Sequence, residues 1–185
     1  MKYVHDHLEV KNCDPDGTFW GYASVFNNLD HHKEIVERGA FAKSLLHWRE
    51  LGRYPKMLWQ HDPRVPIGRW IDIKEDEHGL LVKGQILLDV RKGRETYALL
   101  KAGIVDGLSI GFHLVKAARH DKARILQEID LQEISLVTFA ANAEAKVSSC
   151  KQWLMPYDAV NRLMARLNDF QGLMSLKNDF NIKLT

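Results

Sequence analysis

The apolar positions of the chain change period several times, and each change marks an element. Residues 18–26 mix aromatic and β-branched side chains after the turn-forming Asp14-Pro15-Asp16-Gly17, which predicts a strand. Residues 27–38 are polar and aperiodic and read as a loop. Phe41, Leu45 and Trp48 then fall at i, i+4, i+7, and Gly52 follows, which predicts a helix over 40–51. Residues 56–60 form a short apolar run that His61-Asp62-Pro63 should break, because proline removes a backbone donor. Residues 66–73 and 79–88 read as the arms of a hairpin around the polar stretch 74–79. Residues 91–102 read as a second helix stopped by Gly103, and 104–116, 123–129 and 131–139 as three further strands.

Strands therefore dominate, with two internal helices: an α+β chain without the β–α alternation of a parallel sheet. After Pro156 the pattern changes. Val160, Leu163, Leu167, Phe170 and Met174 repeat at 3-4 spacing, the seam of an amphipathic helix. The expected organisation is a strand-rich domain over 1–148 and a helical tail over 149–185. A seam of two heptads is short for a free helix, so the stripe must be buried on its own domain, on a second copy or on another protein.

Length adds that 185 residues can bury one real core. With 26 Lys and Arg against 24 Asp and Glu, the net charge of +2 carries no signature of nucleic-acid binding. No run of 18 apolar residues is present, and the N-terminus lacks an apolar signal core, so neither a membrane span nor export is expected. Two cysteines, Cys13 and Cys150, provide neither a disulfide framework nor a zinc site.

Three polar residues interrupt apolar surroundings: His61 at the end of Met57-Leu58-Trp59-Gln60, Ser109 between Gly107-Leu108 and Ile110-Gly111, and Glu133 within Leu131–Val137. A serine becomes a nucleophile when a base lies within hydrogen-bond reach and a third group orients that base. Each of the three also has a plain structural reading: a strand-end histidine, a serine at a tight backbone, a glutamate on a wet face. Gly107-Leu108-Ser109-Ile110-Gly111 spells G-x-S-x-G, but that elbow needs a helix straight after the serine, and Phe112–Lys116 continues as a strand. Ser135 is the runner-up serine. It shares a strand face with Glu133 by period two, and its loss is expected to leave most activity. His5-Asp6-His7 and Asp30-His31-His32 could each offer two metal ligands, without a tuned spacing.

With these residues in order, the chain resembles the tailed-phage (caudovirus) prohead maturation proteases, which are related in fold to the herpesvirus assembly proteases. The resemblance covers residues 8–148. It rests on Gly21-Tyr22-Ala23-Ser24-Val25-Phe26, Gly39-Ala40-Phe41, Met57-Leu58-Trp59-Gln60-His61-Asp62 and Pro66-Ile67-Gly68-Arg69-Trp70. It continues through Gly103–Phe112 and Glu133-Ile134-Ser135-Leu136-Val137-Thr138. It implies a herpesvirus-protease-like fold, a compact β-barrel with peripheral helices, and a serine endopeptidase needing no cofactor or metal. His61 would be the general base, Ser109 the nucleophile and Glu133 the third member, a role that a second histidine fills in the herpesvirus relatives. The implied substrates are scaffold protein, the N-terminal part of the major capsid protein and the protease itself, inside the immature shell in the host bacterial cytoplasm. A homo-oligomer formed through the C-terminal helix is the implied further partner, with no nucleic acid and no membrane. The contrasting reading is a catalytically silent assembly protein on the same barrel. The chain departs from the family at Ala140-Ala141-Asn142-Ala143, where two prolines are usual and where a looser loop is expected, and at Lys33–Arg38.

Overall fold

A computed structural model describes residues 14–148, which fall within one compact unit, Met1–Cys150. The expected tail helix and its oligomeric role lie outside the described residues, as do His5-Asp6-His7 and both cysteines.

Among the described residues, eight strands and two helices follow in the order β1 (Thr18–Val25), β2 (Glu34–Val36), α1 (Ala42–Glu50), β3 (Lys56–Trp59), β4 (Asp62–Glu75), β5 (Gly79–Ile86), α2 (Arg91–Lys101), β6 (Gly107–His120), β7 (Ala123–Val137) and β8 (Val147–Ser148). They form one sheet in the order β2-β7-β3-β4-β5-β1-β8, with β6 on the other side of β7. The sheet curls until its ends meet. Lys146 bridges to Gly107, Leu108 N–H donates to Ala145 O (2.9 Å), and Trp20 and Gly21 pair with Ser148 and Val147. Closure removes most free edges, the ordinary vulnerability of a sheet. At this seam the chain runs so close to Gly21 that a Cβ there would overlap Lys146 O and the Leu108 side chain. Phe19, Ile67, Leu80, Val82, Ile86, Leu108, Ile134 and Leu136 fill the interior and are completely buried. The strand-dominated architecture with peripheral helices is the one expected from the sequence.

Three local expectations are corrected. The stretch 27–38 contains β2, whose Glu34–Val36 pair in parallel with Arg124–Leu126; three residues are too few to show a period. Pro63 does not end the strand region. The chain reverses at Gln60-His61, and β4 starts at Asp62 with Pro63 in its second position, where the β3–β4 register is irregular and the missing N–H costs nothing. The expected break between 129 and 131 is absent: β7 is one 15-residue strand paired along β6. Its register slips between Gly111 and Phe112, so that Gln132 is the extra residue of a β-bulge just before Glu133.

β7 organises the molecule. One edge pairs with β6 and the other with β2 at one end and β3 at the other. Between β2 and β3 that edge is covered by α1 and the residues leading into it. Ile129 N–H donates to Ala40 O (3.0 Å), Leu131 N–H to Ser44 Oγ (2.9 Å), and Trp48 Nε1 to Leu131 O (2.8 Å). Ser44 and Leu131 are both buried, so Ser44→Ala would leave an N–H without a partner. The expected cost is about 1–3 kcal/mol, read as a lower urea midpoint. An unchanged midpoint would show that the N–H finds another acceptor.

A second polar tie fixes the β4–β5 turn against β1. The Tyr22 hydroxyl donates to Asp76 Oδ2 (2.7 Å), while Asp76 Oδ1 accepts the N–H groups of His78 and Gly79. Burial, then the hydrogen bond to Asp76, pushes the Tyr22 phenol up to about 12. Burial raises the Asp76 pKa, but the donors of Gly79, Tyr22 and His78 together outweigh it, and the carboxyl stands below its ordinary 3.8. A carboxyl lowered by folding stabilises above its unfolded pKa and loses that contribution as pH falls through the folded value. Tyr22→Phe should therefore cost about 1.5 kcal/mol near neutrality. The gap from wild type should shrink as pH falls below the ordinary aspartate range, which denaturation at several pH values measures.

Candidate active site

The β3–β4 turn carries His61. Its flanks Trp59 and Asp62 pair directly, so Gln60 and His61 form a two-residue loop, and both have positive φ, 53° and 60°. That is the sign pattern of a type I′ turn, which matches strand twist but favours Asn and Gly. Two side-chain-bearing residues hold it here because β7 ties the turn down. Gln60 N–H donates to Leu136 O (3.0 Å), and its side chain exchanges hydrogen bonds with Thr138 at 2.7 and 3.3 Å. His61 N–H donates to Ser135 Oγ (3.1 Å). The strained turn thus points the imidazole along the sheet rather than away from it.

Glu133 and Ser135 share one face of β7, as period two predicts. Across the ladder they face Gly111 and Ser109 of β6. Gly111 is where glycine matters: the Glu133 side chain lies across it, and a Cβ there would overlap Oε1. From this position Glu133 Oε1 meets His61 Nδ1 at 2.5 Å, and Oε2 accepts the Ser135 hydroxyl at 2.7 Å. An ionised carboxylate only accepts, so Nδ1 carries the imidazole proton and Nε2 keeps its lone pair. The Glu133 side chain is 13% exposed and that of His61 43%. The carboxylate is sheltered while the imidazole stays reachable.

His61 and Ser109 line one cleft of about 290 Å³. Its far wall is the loop after β1 and the loop after β7. Asn28 Nδ2 donates to Asn142 Oδ1 (2.9 Å), Asn142 Nδ2 to Val25 O (2.9 Å), and Glu144 N–H to Asn142 Oδ1 (3.1 Å). Through Asn142 these bonds tie the 140–143 loop to the end of β1. Glu34, also on this wall, is buried and paired with Arg124. Ser109 is nearly buried yet faces the cleft, whereas Ser135 is wholly buried beneath it.

All three sequence candidates therefore belong to one neighbourhood: His61 bonded to Glu133, and Ser109 in the same cleft as His61. Ser135, weighed as a rival nucleophile, is instead bonded to both Glu133 and the His61 backbone. The G-x-S-x-G pattern is not an elbow, since β6 runs on through His120. Asp30 Oδ1 is occupied by the N–H groups of His32 and Glu34, and among the described residues no three His, Cys, Asp or Glu side chains converge as metal ligands. Sequence reasoning passed over Gly111, Gln60 and Thr138. The signal was present for Gly111, a glycine two positions after Ser109, but its meaning needs the β6–β7 register.

Comparison with known proteins bears on the fold and the family. The fold is that of viral capsid assembly proteases: the structure of the bacteriophage T4 capsid assembly protease, gp21, overlays with a TM-score of 0.56 at 14% identity, covering 65% of this chain and 80% of that one. Residues 6–158 match the model of the caudovirus prohead serine protease family, and the chain belongs to that family. The prohead protease of Enterobacteria phage HK97 is 37% identical over 152 residues, 79% of this chain and 66% of that protein. The prohead protease of Escherichia phage T5 is 31% identical over 159 residues, 80% of this chain and 72% of that protein. The chain thus spans about two thirds of the length of the HK97 relative.

Proposed function

We propose that this chain is a serine endopeptidase that cleaves scaffold protein and the N-terminal region of the capsid protein, and then itself, inside the assembling phage head in the host cell. The observation that carries the catalytic reading is the 2.5 Å contact between His61 Nδ1 and Glu133 Oε1, with Ser109 lining the same cleft as His61. The substrate reading is supported by family membership and by the relatives named prohead proteases.

The chemistry follows from the atoms. His61 Nε2 takes the proton of the Ser109 hydroxyl as Oγ bonds to the scissile carbonyl carbon. Glu133 holds the ring and stabilises the imidazolium that forms. The tetrahedral intermediate collapses, the C–N bond breaks, and the imidazolium gives its proton to the leaving amine. Water then gives a proton to Nε2 while attacking the acyl carbon. Expulsion of Ser109 Oγ, reprotonated by His61, releases the acid. Backbone N–H groups near Ser109 serve the oxyanion. No step requires a metal or cofactor.

The test is co-expression with the capsid and scaffold proteins of the same phage, followed by mass spectrometry of all new termini. New termini in those proteins and in the protease, absent from the Ser109→Ala culture, are the expected result. Unchanged termini, with Ser109 inert to a fluorophosphonate probe, would leave an assembly protein without catalysis.

A further inference from the structure

Ser135 and Gly111 surround the Glu133 carboxylate in a way that the roles of base, nucleophile and third group do not require. We propose that these two residues form a positioning device that keeps the Glu133 carboxylate on His61 Nδ1; this rests on the catalytic reading above.

A glutamate side chain has three rotatable bonds, and each costs entropy to freeze. One hydrogen bond to a half-exposed imidazole would leave Glu133 free to swing toward water. Ser135 removes that freedom by donating to Oε2 at 2.7 Å. The same oxygen, Ser135 Oγ, accepts His61 N–H at 3.1 Å. One buried hydroxyl therefore holds both partners of the 2.5 Å contact, the carboxylate by its side chain and the histidine by its backbone. The grip on the backbone falls on a residue with a φ of 60°, which needs such a tie to persist.

Gly111 acts from across the ladder. It faces Glu133 in the β6–β7 register, and the carboxylate rests where a Cβ would stand. Any other residue at 111 would force the tip of Glu133 away. A Cβ would meet Cγ and Cδ as well as Oε1, so the whole end of the side chain must turn and the aim is lost, while the β6–β7 ladder stays paired. The bulge at Gln132 adds to the same end by setting the backbone angle from which Glu133 leaves the strand. Ser135 pulls and Gly111 makes room, and the contact to Nδ1 is the one geometry that satisfies both. Neither residue touches the reacting atoms.

The experiment uses the full chain and the rate at which a fluorophosphonate probe modifies Ser109, which needs no knowledge of the natural substrate. Ser135→Ala and Gly111→Ala are each expected to lower that rate about 10- to 100-fold, as loss of a residue that orients a metal ligand does; for Ser135 this is a larger loss than the sequence alone predicts. Thermal unfolding of Gly111→Ala should stay close to wild type, which keeps the test decisive if Ser135→Ala folds poorly. The discriminating measurement is the pairing of each variant with Glu133→Ala. Gly111, which acts only through Glu133, should add no further loss once Glu133 is gone. Ser135, which also holds the His61 N–H, should add less than its full single loss, whereas merely structural roles would give additive losses. Proton NMR in the Ser109→Ala background, where self-digestion is absent, should show a downfield imidazole proton from the short contact, weakened or lost in both positioning variants. A normal rate in Gly111→Ala, or full additivity with Glu133→Ala, overturns the inference while leaving the catalytic reading intact. Labelling of some residue other than Ser109 overturns that reading instead.

Discussion

Ser109→Ala is expected to leave a folded protein with no measurable processing of capsid or scaffold protein. In triads that act as a unit, removing the nucleophile lowers turnover by about 10⁶-fold. Ser109 is small, nearly buried and opposite Ser135 in a regular ladder, so loss of one hydroxyl oxygen leaves the packing in place. Wild type should shorten over hours, while the variant keeps its full mass. Time-resolved intact-mass spectrometry of both decides the matter. A folded Ser109→Ala protein that still processes itself would move the nucleophile elsewhere. Ser135 would be a poor replacement, because it is wholly buried and its proton is committed to Glu133.

The second large effect separates His61 from Glu133. His61→Ala removes the proposed base for the Ser109 proton and should cost about as much as losing Ser109, about 10⁶-fold. Glu133→Gln should cost less, about 10⁴-fold, because the imidazole remains. The geometry gives a specific reason for that loss. The Ser135 hydroxyl donates, so it selects the carbonyl oxygen of the new amide and turns the NH₂ toward His61 Nδ1. The imidazole must then accept at Nδ1 and carry its proton on Nε2, where it cannot take one from Ser109. Rates of the two variants with the fluorophosphonate probe should therefore differ by about 100-fold. Equal losses in two folded variants would give the carboxylate a larger part than orienting and polarising the base. Full activity in Glu133→Gln would remove it from the machinery.

These expectations rest on contacts that the chain shows to different degrees. The strands β1, β5 and β6 and both helices announce themselves by local composition, turn signals and apolar runs, although the strands do not keep a strict alternation of buried and exposed residues. β2 does not, since three residues in parallel pairing carry no period. Sequence reading splits the single strand β7 at Asp130, where the structure shows regular alternation and unbroken pairing with β6. At Pro63 a correct local rule met a setting that cancels it: an irregular pairing next to a turn, where no donor is needed.

The site divides the same way. His61, Ser109 and Glu133 were legible as polar residues inserted into apolar runs, and their shared role could be weighed because a serine, a base and an acid make one chemistry. Their order and surroundings also carried the family resemblance. The sequence by itself determined which groups are available, on which strands they sit, and that Glu133 and Ser135 share a face. It ranked Ser109 above Ser135 through the family resemblance, but it could not show how exposed either serine is, because burial depends on which loops cover the sheet. Only the tertiary structure opened a cleft over Ser109 and closed it over Ser135. Only the β6–β7 register set Gly111 beneath the Glu133 carboxylate. The left-handed backbone at Gln60-His61 is likewise a product of the fold: neither residue is the Asn or Gly such a turn prefers, and hydrogen bonds from residues more than 70 positions away hold it there. Local sequence specifies interactions whose partners lie within a few residues, while the aim of a catalytic side chain is set by partners that only folding brings together.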